Sequence, residues 1–344
     1  MTVTQQFLSA QRSIGDSVAD QLVADVFRSN QEQAIYQLIR LSADDLIKAN
    51  ARSVVFDFLM GKRASPKWFD EKRILKGQTV FENHAVSIMS LLGVMALPYC
   101  YAAYPGNKAL YLTEKMRKSP GKRLAETGEF TLGVLRKGNL QSEIGHIHIN
   151  KTRLIHAIAR YYLQKGTWNS EWGVPINQED MAGTNMAFSY VILAGLQQSG
   201  ILLSDREKED YIFVWKYIGF QLGIDEQLLP NSFQEARAMS EVIKSRTLRK
   251  TEEGITLTNE LINYYKKVIP ANQADFVESQ MRYFLGNEVA DYLGLPENSI
   301  KDKLTSFTNS WKEIQNIFSL PTNQLPQLMI NFQELRQKIK AQGL

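Results

Sequence analysis

The sequence predicts an all-α protein. Apolar residues recur at helical spacing along most of the 344 residues, while the alternation of apolar and polar residues that marks β-strands is almost absent. Hydrophobic residues make up 44% of the chain and charged residues 22%. That balance is typical of a globular protein rather than of a disordered or fibrous one. We therefore expect a folded, helical core.

The first half of the chain divides at its Pro and Gly residues. Three helices are expected to pack together at the start, and a long apolar segment follows that Pro98 should end or kink. A further helix should follow Ser119-Pro120-Gly121 and end before Gly138 and Asn139. The helices predicted in this half cover residues 16–28, 31–39, 43–59, 84–97, 110–116 and 122–135.

In the second half, residues 139–149 are expected to form a loop. The next helix should end at Gly166. Asn177, followed three residues later by Asp180, resembles a capping box, in which Pro175 fixes the turn before the helix. The helices predicted here cover residues 150–164, 178–199, 205–222 and 233–246, with about four more between residues 257 and 344, interrupted near Pro270, Pro296 and Pro321.

Charge and cysteine content exclude several classes of protein. The chain has 40 Lys and Arg against 36 Asp and Glu, a net charge of +4, and its basic residues are dispersed. Nucleic acid is therefore an unexpected partner. The single cysteine, Cys100, can form no internal disulfide, covalent haem attachment or Cys-rich metal site, which fits a reducing compartment. Residues 1–11 lack the pattern of a secretory signal. We expect a cytoplasmic protein.

Two uncharged runs, residues 85–107 and 181–204, are long enough to cross a bilayer. The first contains Gly93 and Pro98, and the second contains Asn185 and Gln197. We expect both to be helices buried inside the protein rather than stable membrane spans.

Only four histidines exist, at positions 84, 146, 148 and 156. Glu143 and His146 form a single ExxH motif, whereas a di-iron carboxylate bundle requires two such motifs. Polar histidines in a loop are therefore favoured over a non-haem metal site at residues 143–148.

Two helical faces combine residues that could carry chemistry. His156 shares a face with Thr152, Arg153 and Arg160, so this face offers one imidazole together with cations. Arg123 and Thr127 are four residues apart on another helix, with Glu126 beside them. Taken separately, each is an ordinary pattern.

Taken together, the two patterns resemble one family. The segment KRLAETGEFTLGVL (122–135), the interval from Thr127 to His156 and the run TRLIHAIARYYL (152–163) are similar to the family of the latex-clearing rubber oxygenase and the oxygenase MpaB. The most specific feature is PINQED, within residues 173–196. Similarity also extends through residues 15–27, 66–85, 91–110 and 211–230, covering about 15–255.

This resemblance implies a globin-like helical fold that holds haem b non-covalently between two helices. It assigns His156 as the axial iron ligand, with Arg153 and Arg160 as candidate cofactor-binding residues on the same helix. It places Arg123 and Thr127 on the face where dioxygen binds. Residues 1–255 would then be the catalytic domain, and 256–344 a helical extension packed on it.

One departure from the family concerns Glu126. Rubber-cleaving members have a lysine at this position that can cap the iron. The carboxylate could act as a base or proton relay, or it could pair with Arg123. Its presence argues against polymeric rubber as the substrate and for a hydrophobic small or lipid-like molecule, including one with an alkene.

The leading hypothesis is a haem b-dependent oxygenase that uses dioxygen. Two alternatives remain: a haem enzyme that uses peroxide, and a helical protein that binds haem or lipid without turnover. The sequence leaves the substrate, the redox partner and the oligomeric state open.

Overall fold

The structure, a computed structural model, describes residues 4–49, 51–113, 119–268 and 276–297. Its α-helices are, in chain order, α1 (Gln5–Gln11), α2 (Ser17–Arg28), α3 (Glu32–Arg40), α4 (Ala43–Lys48), α5 (Val54–Met60), α6 (Glu71–Leu91), α7 (Leu97–Tyr101), α8 (Gly106–Leu112), α9 (Pro120–Leu135), α10 (Glu143–Lys165), α11 (Gln178–Phe188), α12 (Tyr190–Gln198), α13 (Asp205–Gln221), α14 (Phe233–Thr247), α15 (Glu252–Val268) and α16 (Phe276–Tyr292). Among these residues the only β pairing is an isolated bridge between Ala103 and Leu248. The all-α prediction is confirmed.

Several predicted boundaries are wrong, and the first of them is the start of the helix that carries His156. The expected loop over residues 139–149 is instead a 3-10 turn, Asn139–Gln141, followed by α10 from Glu143. Ser142 has the extended backbone of an N-cap residue, and Glu143 supplies the acidic first turn that a helix start favours. Both His146 and His148 therefore lie on the same helix as His156.

Two of the predicted helices are each broken into two. The range 43–59 divides because Ser53 begins a new helix, its side chain accepting a hydrogen bond from the N–H of Phe56. The range 178–199 divides at Ser189, whose φ of −109° and ψ of −83° are not helical.

Pro98 does not end its helix. A π-helical turn, Leu92–Ala96, precedes it, and Pro98 occupies the first turn of α7. The missing N–H of proline is tolerated in that position. The kink in this stretch lies earlier, at His84, where the backbone leaves helical geometry.

Of the tail between residues 257 and 344, the described part comprises most of α15 and all of α16. The breaks predicted near Pro270 and Pro321 lie outside the described residues.

The chain divides into two compact units. The first unit comprises Met1–Phe81, Glu129–Asn185 and Asp205–Met239, and the second comprises Glu82–Gly128, Met186–Ser204 and Ser240–Leu344.

In the first unit, α10 is the central helix and packs against α2, α4, α5 and α13. Its apolar face, which includes Ile147, Leu154 and Ala157, completes a core with α2 to α5. Gln78 ties the end of α9 to α6, because its Nε2 donates to the carbonyls of Val134 (3.0 Å) and Arg136 (2.8 Å).

In the second unit, the mostly buried stretch from Leu92 to Tyr101 lies at the centre of the helix packing. The π-helical turn packs against α12 and α16, while α7 packs against α15 and α16. Gly195 permits the close approach of α12, since a Cβ there would lie 2.8 Å from Cδ2 of Leu91 and from the sulfur of Met95.

One stretch of the described residues, Glu71–Tyr101, is long and apolar enough to cross a bilayer by length and composition alone. Within its most apolar window, 78% is buried inside the protein. This burial agrees with the expectation of a core helix.

Candidate active site

Arg123, Glu126 and Thr127 lie on α9, within the second unit. Nη1 of Arg123 and Oε2 of Glu126 are 3.6 Å apart, and the two side chains are 29% and 33% exposed. At this distance the pair is electrostatic rather than a hydrogen bond, so Glu126 does not engage the N–H donors of Arg123. Two roles were considered for Glu126: a base or proton relay, and a partner of Arg123. The structure shows the ion pair that the second role requires.

Thr127 is buried, with 6% of its surface exposed. Its hydroxyl donates to the carbonyl of Arg123 one turn earlier, at 3.0 Å. This bond orients the oxygen of Thr127 on the face of α9 that also carries Arg123.

His156 lies half-buried on α10, within the first unit. The structure therefore places the two sets of predicted site residues in different units. Each set is held in place by contacts inside its own unit.

Arg153 and Arg160 lie three residues before and four residues after His156, and both are buried. Each is paired with a carboxylate near the start of α2. Arg153 donates from Nε and Nη2 to the two oxygens of Asp16, at 2.7 and 3.0 Å. Arg160 donates from Nε to Asp20 at 2.6 Å and from Nη1 to the carbonyl of Ile176 at 3.1 Å.

The two carboxylates respond differently to these partners. Burial favours the neutral form of Asp16, but two hydrogen bonds and the charge of Arg153 outweigh it and hold the pKa of Asp16 below its usual value. Asp20 has a single hydrogen bond from Arg160, and burial prevails, so its pKa is raised. Arg153 therefore forms the better-matched pair of the two.

These pairs clamp α10 to α2 on both sides of His156. The guanidinium groups that the sequence offered as candidate cofactor-binding groups thus already have carboxylate partners. Their cofactor role stays a prediction, whereas their role in fixing the helix is visible.

His148 faces α9 within the first unit. A Cβ on Gly133 would lie 2.2 Å from Cδ2 and 2.5 Å from Cγ of His148, so only glycine permits this approach. His146 is buried, its Nε2 has no hydrogen-bond partner within the described part of the chain, and burial lowers its pKa. The described residues contain no group of three or more His, Cys, Asp or Glu side chains suited to a metal ion.

The PINQED segment is a helix entry, as predicted. The N–H of Asp180 donates to Oδ1 of Asn177 at 3.0 Å, and Nδ2 of Asn177 donates to the carboxylate of Asp180 at 2.9 Å. Arg12, just past α1, donates to Glu179 (3.1 Å) and Asp180 (3.3 Å). Sequence reasoning missed Arg12, because nothing in its local pattern indicates a partner 167 residues away.

Three tyrosines near the start of α9 were also missed. Tyr101 is fully buried, and the charge of Arg123 acts on its phenol. The ring of Tyr264 lies against Gly121, and Tyr265 is adjacent to it on α15. The only sequence signal was the Tyr-Tyr pair itself, on a helix with an apolar face.

Comparisons with known proteins agree with this fold. Residues 84–312 match the family model described as ER-bound oxygenase mpaB/B'/Rubber oxygenase, catalytic domain. The chain is 23% identical over 301 residues to the Rubber oxygenase of Streptomyces sp. (strain K30), an alignment that covers 85% of this chain and 73% of the relative.

A solved structure of latex clearing protein in the closed state has the same fold, with a TM-score of 0.75 and 21% identity. The alignment covers 96% of this chain and 91% of that one. The family match extends over well more than half of the sequence and includes α9, His156 and PINQED. The chain therefore belongs to the mpaB and rubber oxygenase catalytic-domain family, and it is an oxidoreductase of the oxygenase type.

Proposed function

We propose that this protein is a haem b-dependent oxygenase that uses dioxygen to oxidise a hydrophobic small molecule, with an alkene-containing molecule as the first candidate. The observation that carries this proposal is the support of His156. Its helix is the centre of the first unit and is fixed by buried ion pairs on either side. A ligand held on a rigid element with its neighbours locked is what a reactive metal centre requires.

The chemistry of the residues fits haem. A haem requires only one axial side chain from the protein, and imidazole is a common axial ligand. A cluster of several protein ligands is therefore not needed. His156 would supply that ligand. Haem, when bound, supplies the iron at which dioxygen is activated.

The residues of α9 would act on the oxygen side. Arg123 is permanently charged, and its N–H groups are not engaged by Glu126 at 3.6 Å. It can therefore stabilise negative charge that develops on oxygen. Thr127 presents a fixed hydroxyl oxygen one turn away, and Glu126 attracts the guanidinium only weakly at 3.6 Å.

The substrate class rests on the family. The Streptomyces relative is named a rubber oxygenase, which indicates an unsaturated hydrocarbon. Glu126 in place of the capping lysine favours a smaller substrate here.

The experiment that tests the function compares two oxidants. The purified protein is incubated with a long-chain alkene such as squalene. One sample contains the reduced protein under dioxygen, and the other contains the oxidised protein with hydrogen peroxide. We expect oxygen-containing products and dioxygen consumption only in the first case. Products formed only with peroxide would overturn the dioxygen assignment in favour of a peroxygenase, and no products with either would overturn oxygenation of this substrate class.

A further inference from the structure

The start of α9 is bordered by buried tyrosines that the proposed reaction does not use. A Cβ on Gly121 would lie 2.3 Å from Cε2 and 2.8 Å from Cζ of Tyr264. The ring of Tyr264 therefore lies directly on the backbone of α9, two residues before Arg123. Only glycine at position 121 allows this contact.

Tyr265 continues the same cluster. Its ring centroid is 5.9 Å from that of Tyr264. Burial, together with the neighbouring phenols of Tyr101 and Tyr264, raises its pKa. The positive charge of Arg123 favours the ionised form of the Tyr101 phenol, against the larger opposing effect of burial. All four residues belong to the second unit and lie on α7, α9 and α15.

Among the residues that the structure describes, the hydroxyls of Tyr264 and Tyr265 have no hydrogen-bond partner. The two residues are only 4% and 1% exposed. A buried polar group without a partner costs about 1–3 kcal/mol, whereas phenylalanine would fill nearly the same volume without that cost. Native proteins rarely keep such groups, so each one calls for an explanation, a functional role among them.

We propose that Tyr264 and Tyr265 form a polar end of the substrate site and bind an oxygen-bearing group, such as a carbonyl or hydroxyl, of an otherwise hydrophobic substrate. This inference rests on the proposed function and narrows its substrate class. A phenol can donate to a carbonyl oxygen or accept from a hydroxyl. A pure hydrocarbon would leave both hydroxyls unsatisfied, so the structure favours a substrate with one oxygenated end.

Both hydroxyls are closed to solvent in this structure, so binding requires a local opening of the surrounding helices. Proteins undergo such openings routinely. The test therefore measures binding at equilibrium, where the time needed for opening does not matter.

The experiment uses two probes of nearly identical shape, 2-decanone and 2-methyl-1-decene, which differ in carrying a carbonyl oxygen or a methylene group. Isothermal titration calorimetry measures their dissociation constants for the full chain and for Tyr264→Phe and Tyr265→Phe. Tyr283→Phe is the matched control, because the hydroxyl of Tyr283 already donates to the carbonyl of Gln198 at 3.1 Å.

We expect the unsubstituted protein to bind the ketone at least about tenfold more tightly than the alkene, the order expected for one buried hydrogen bond. Tyr264→Phe and Tyr265→Phe should each reduce this ratio to about threefold or less, and Tyr283→Phe should leave it unchanged. Equal affinities for the two probes, no binding of either, or an unchanged ratio in both variants would overturn the inference.

Thermal unfolding provides an independent readout. Both variants should unfold at the same temperature as the unsubstituted protein or higher, because phenylalanine removes an unsatisfied hydroxyl. A lower unfolding temperature in both would show that the hydroxyls stabilise the fold, which contradicts a ligand role. Since binding needs no turnover, a ketone preference without dioxygen consumption would leave this site standing while the oxygenase proposal fails.

Discussion

Arg153 holds both carboxylate oxygens of Asp16 at 2.7 and 3.0 Å, three residues before His156 on the same helix. The two side chains are 9% and 5% exposed. The contact joins α10 to the N-terminus of α2 across 137 residues of sequence. The position of the candidate iron ligand therefore depends on this buried ion pair.

Removing this pair should destabilise the protein strongly. Arg153→Gln leaves Asp16 buried without its cation, and breaking a buried pair from one side typically costs about 3–5 kcal/mol. The measurement is the free energy of unfolding from urea denaturation. Arg28→Gln is the control, because the pair of Arg28 with Asp25 is 74% and 51% exposed and should contribute less than about 1 kcal/mol. Equal effects of the two substitutions would show that the Arg153 pair does not hold α10.

Asp180 should make stability depend on pH. Burial, its largest cause, raises the pKa of Asp180 from 3.8 to about 6, against the opposing attraction of Arg12. Because the folded pKa lies above the unfolded one, the folded state binds the proton more tightly. The contribution of Asp180 to the free energy of unfolding is therefore largest below about pH 4 and is lost as the pH rises through about 6, a change on the order of 3 kcal/mol.

The check is a pair of unfolding series from pH 4 to 8 on the unsubstituted protein and on Asp180→Asn. The difference in the free energy of unfolding between the two proteins should vary with pH below about pH 7 and become constant above it. Asp205→Asn, whose carboxylate is 99% exposed, should follow the unsubstituted curve. A constant difference over the whole range would contradict the raised pKa.

Arg123→Ala should separate function from folding. The side chain is 29% exposed and its ion pair with Glu126 is loose, so the free energy of unfolding should change by less than about 1 kcal/mol. Loss of a charged donor aimed at developing charge typically lowers the turnover rate about 100- to 1000-fold. Glu126→Gln, which keeps the guanidinium, should lower it far less. An Arg123→Ala protein that is unfolded, or fully active, would remove Arg123 from the oxygen side of the site.

Gly133 and His148 should behave as a coupled pair. Gly133→Ala places a Cβ 2.2 Å from the imidazole ring, and overpacking of this kind costs about 1–3 kcal/mol. Combining it with His148→Ala should recover most of that loss. A double-mutant cycle measures the coupling, and additive effects of the two substitutions would show that α9 and α10 do not meet at this point.

The fold was predictable wherever local signals were strong. The end of α9 at Leu135, the end of α10 before Gly166 and the cap at Asn177 all lie where the sequence placed them. The break at Ser189 and the start of α10 at Glu143 were missed. Each depends on backbone geometry that tertiary packing selects, and neither is marked by proline.

The candidate site was predictable only in part. The resemblance assigns Arg123, Thr127 and His156 to the site through short motifs within single helices, and their roles stay predictions. The partners of Arg153 and Arg160 could not be inferred, since Asp16 and Asp20 are 137 and 140 residues away and carry no pattern of their own. The sequence also could not show that the phenol of Tyr265 lacks a hydrogen-bond partner among the described residues, because hydrogen bonding is a property of the folded chain.

The haem content of His156→Ala tests most directly whether His156 is the iron ligand. The pyridine haemochromogen assay gives haem per chain for the purified unsubstituted protein, for His156→Ala and for the control His146→Ala on the same helix. We predict a Soret band and about one haem b per chain in the unsubstituted protein and in His146→Ala, and loss of most haem in His156→Ala with its helical circular dichroism retained. Full haem content and an unchanged spectrum in His156→Ala, or no haem in the unsubstituted protein, would contradict the account.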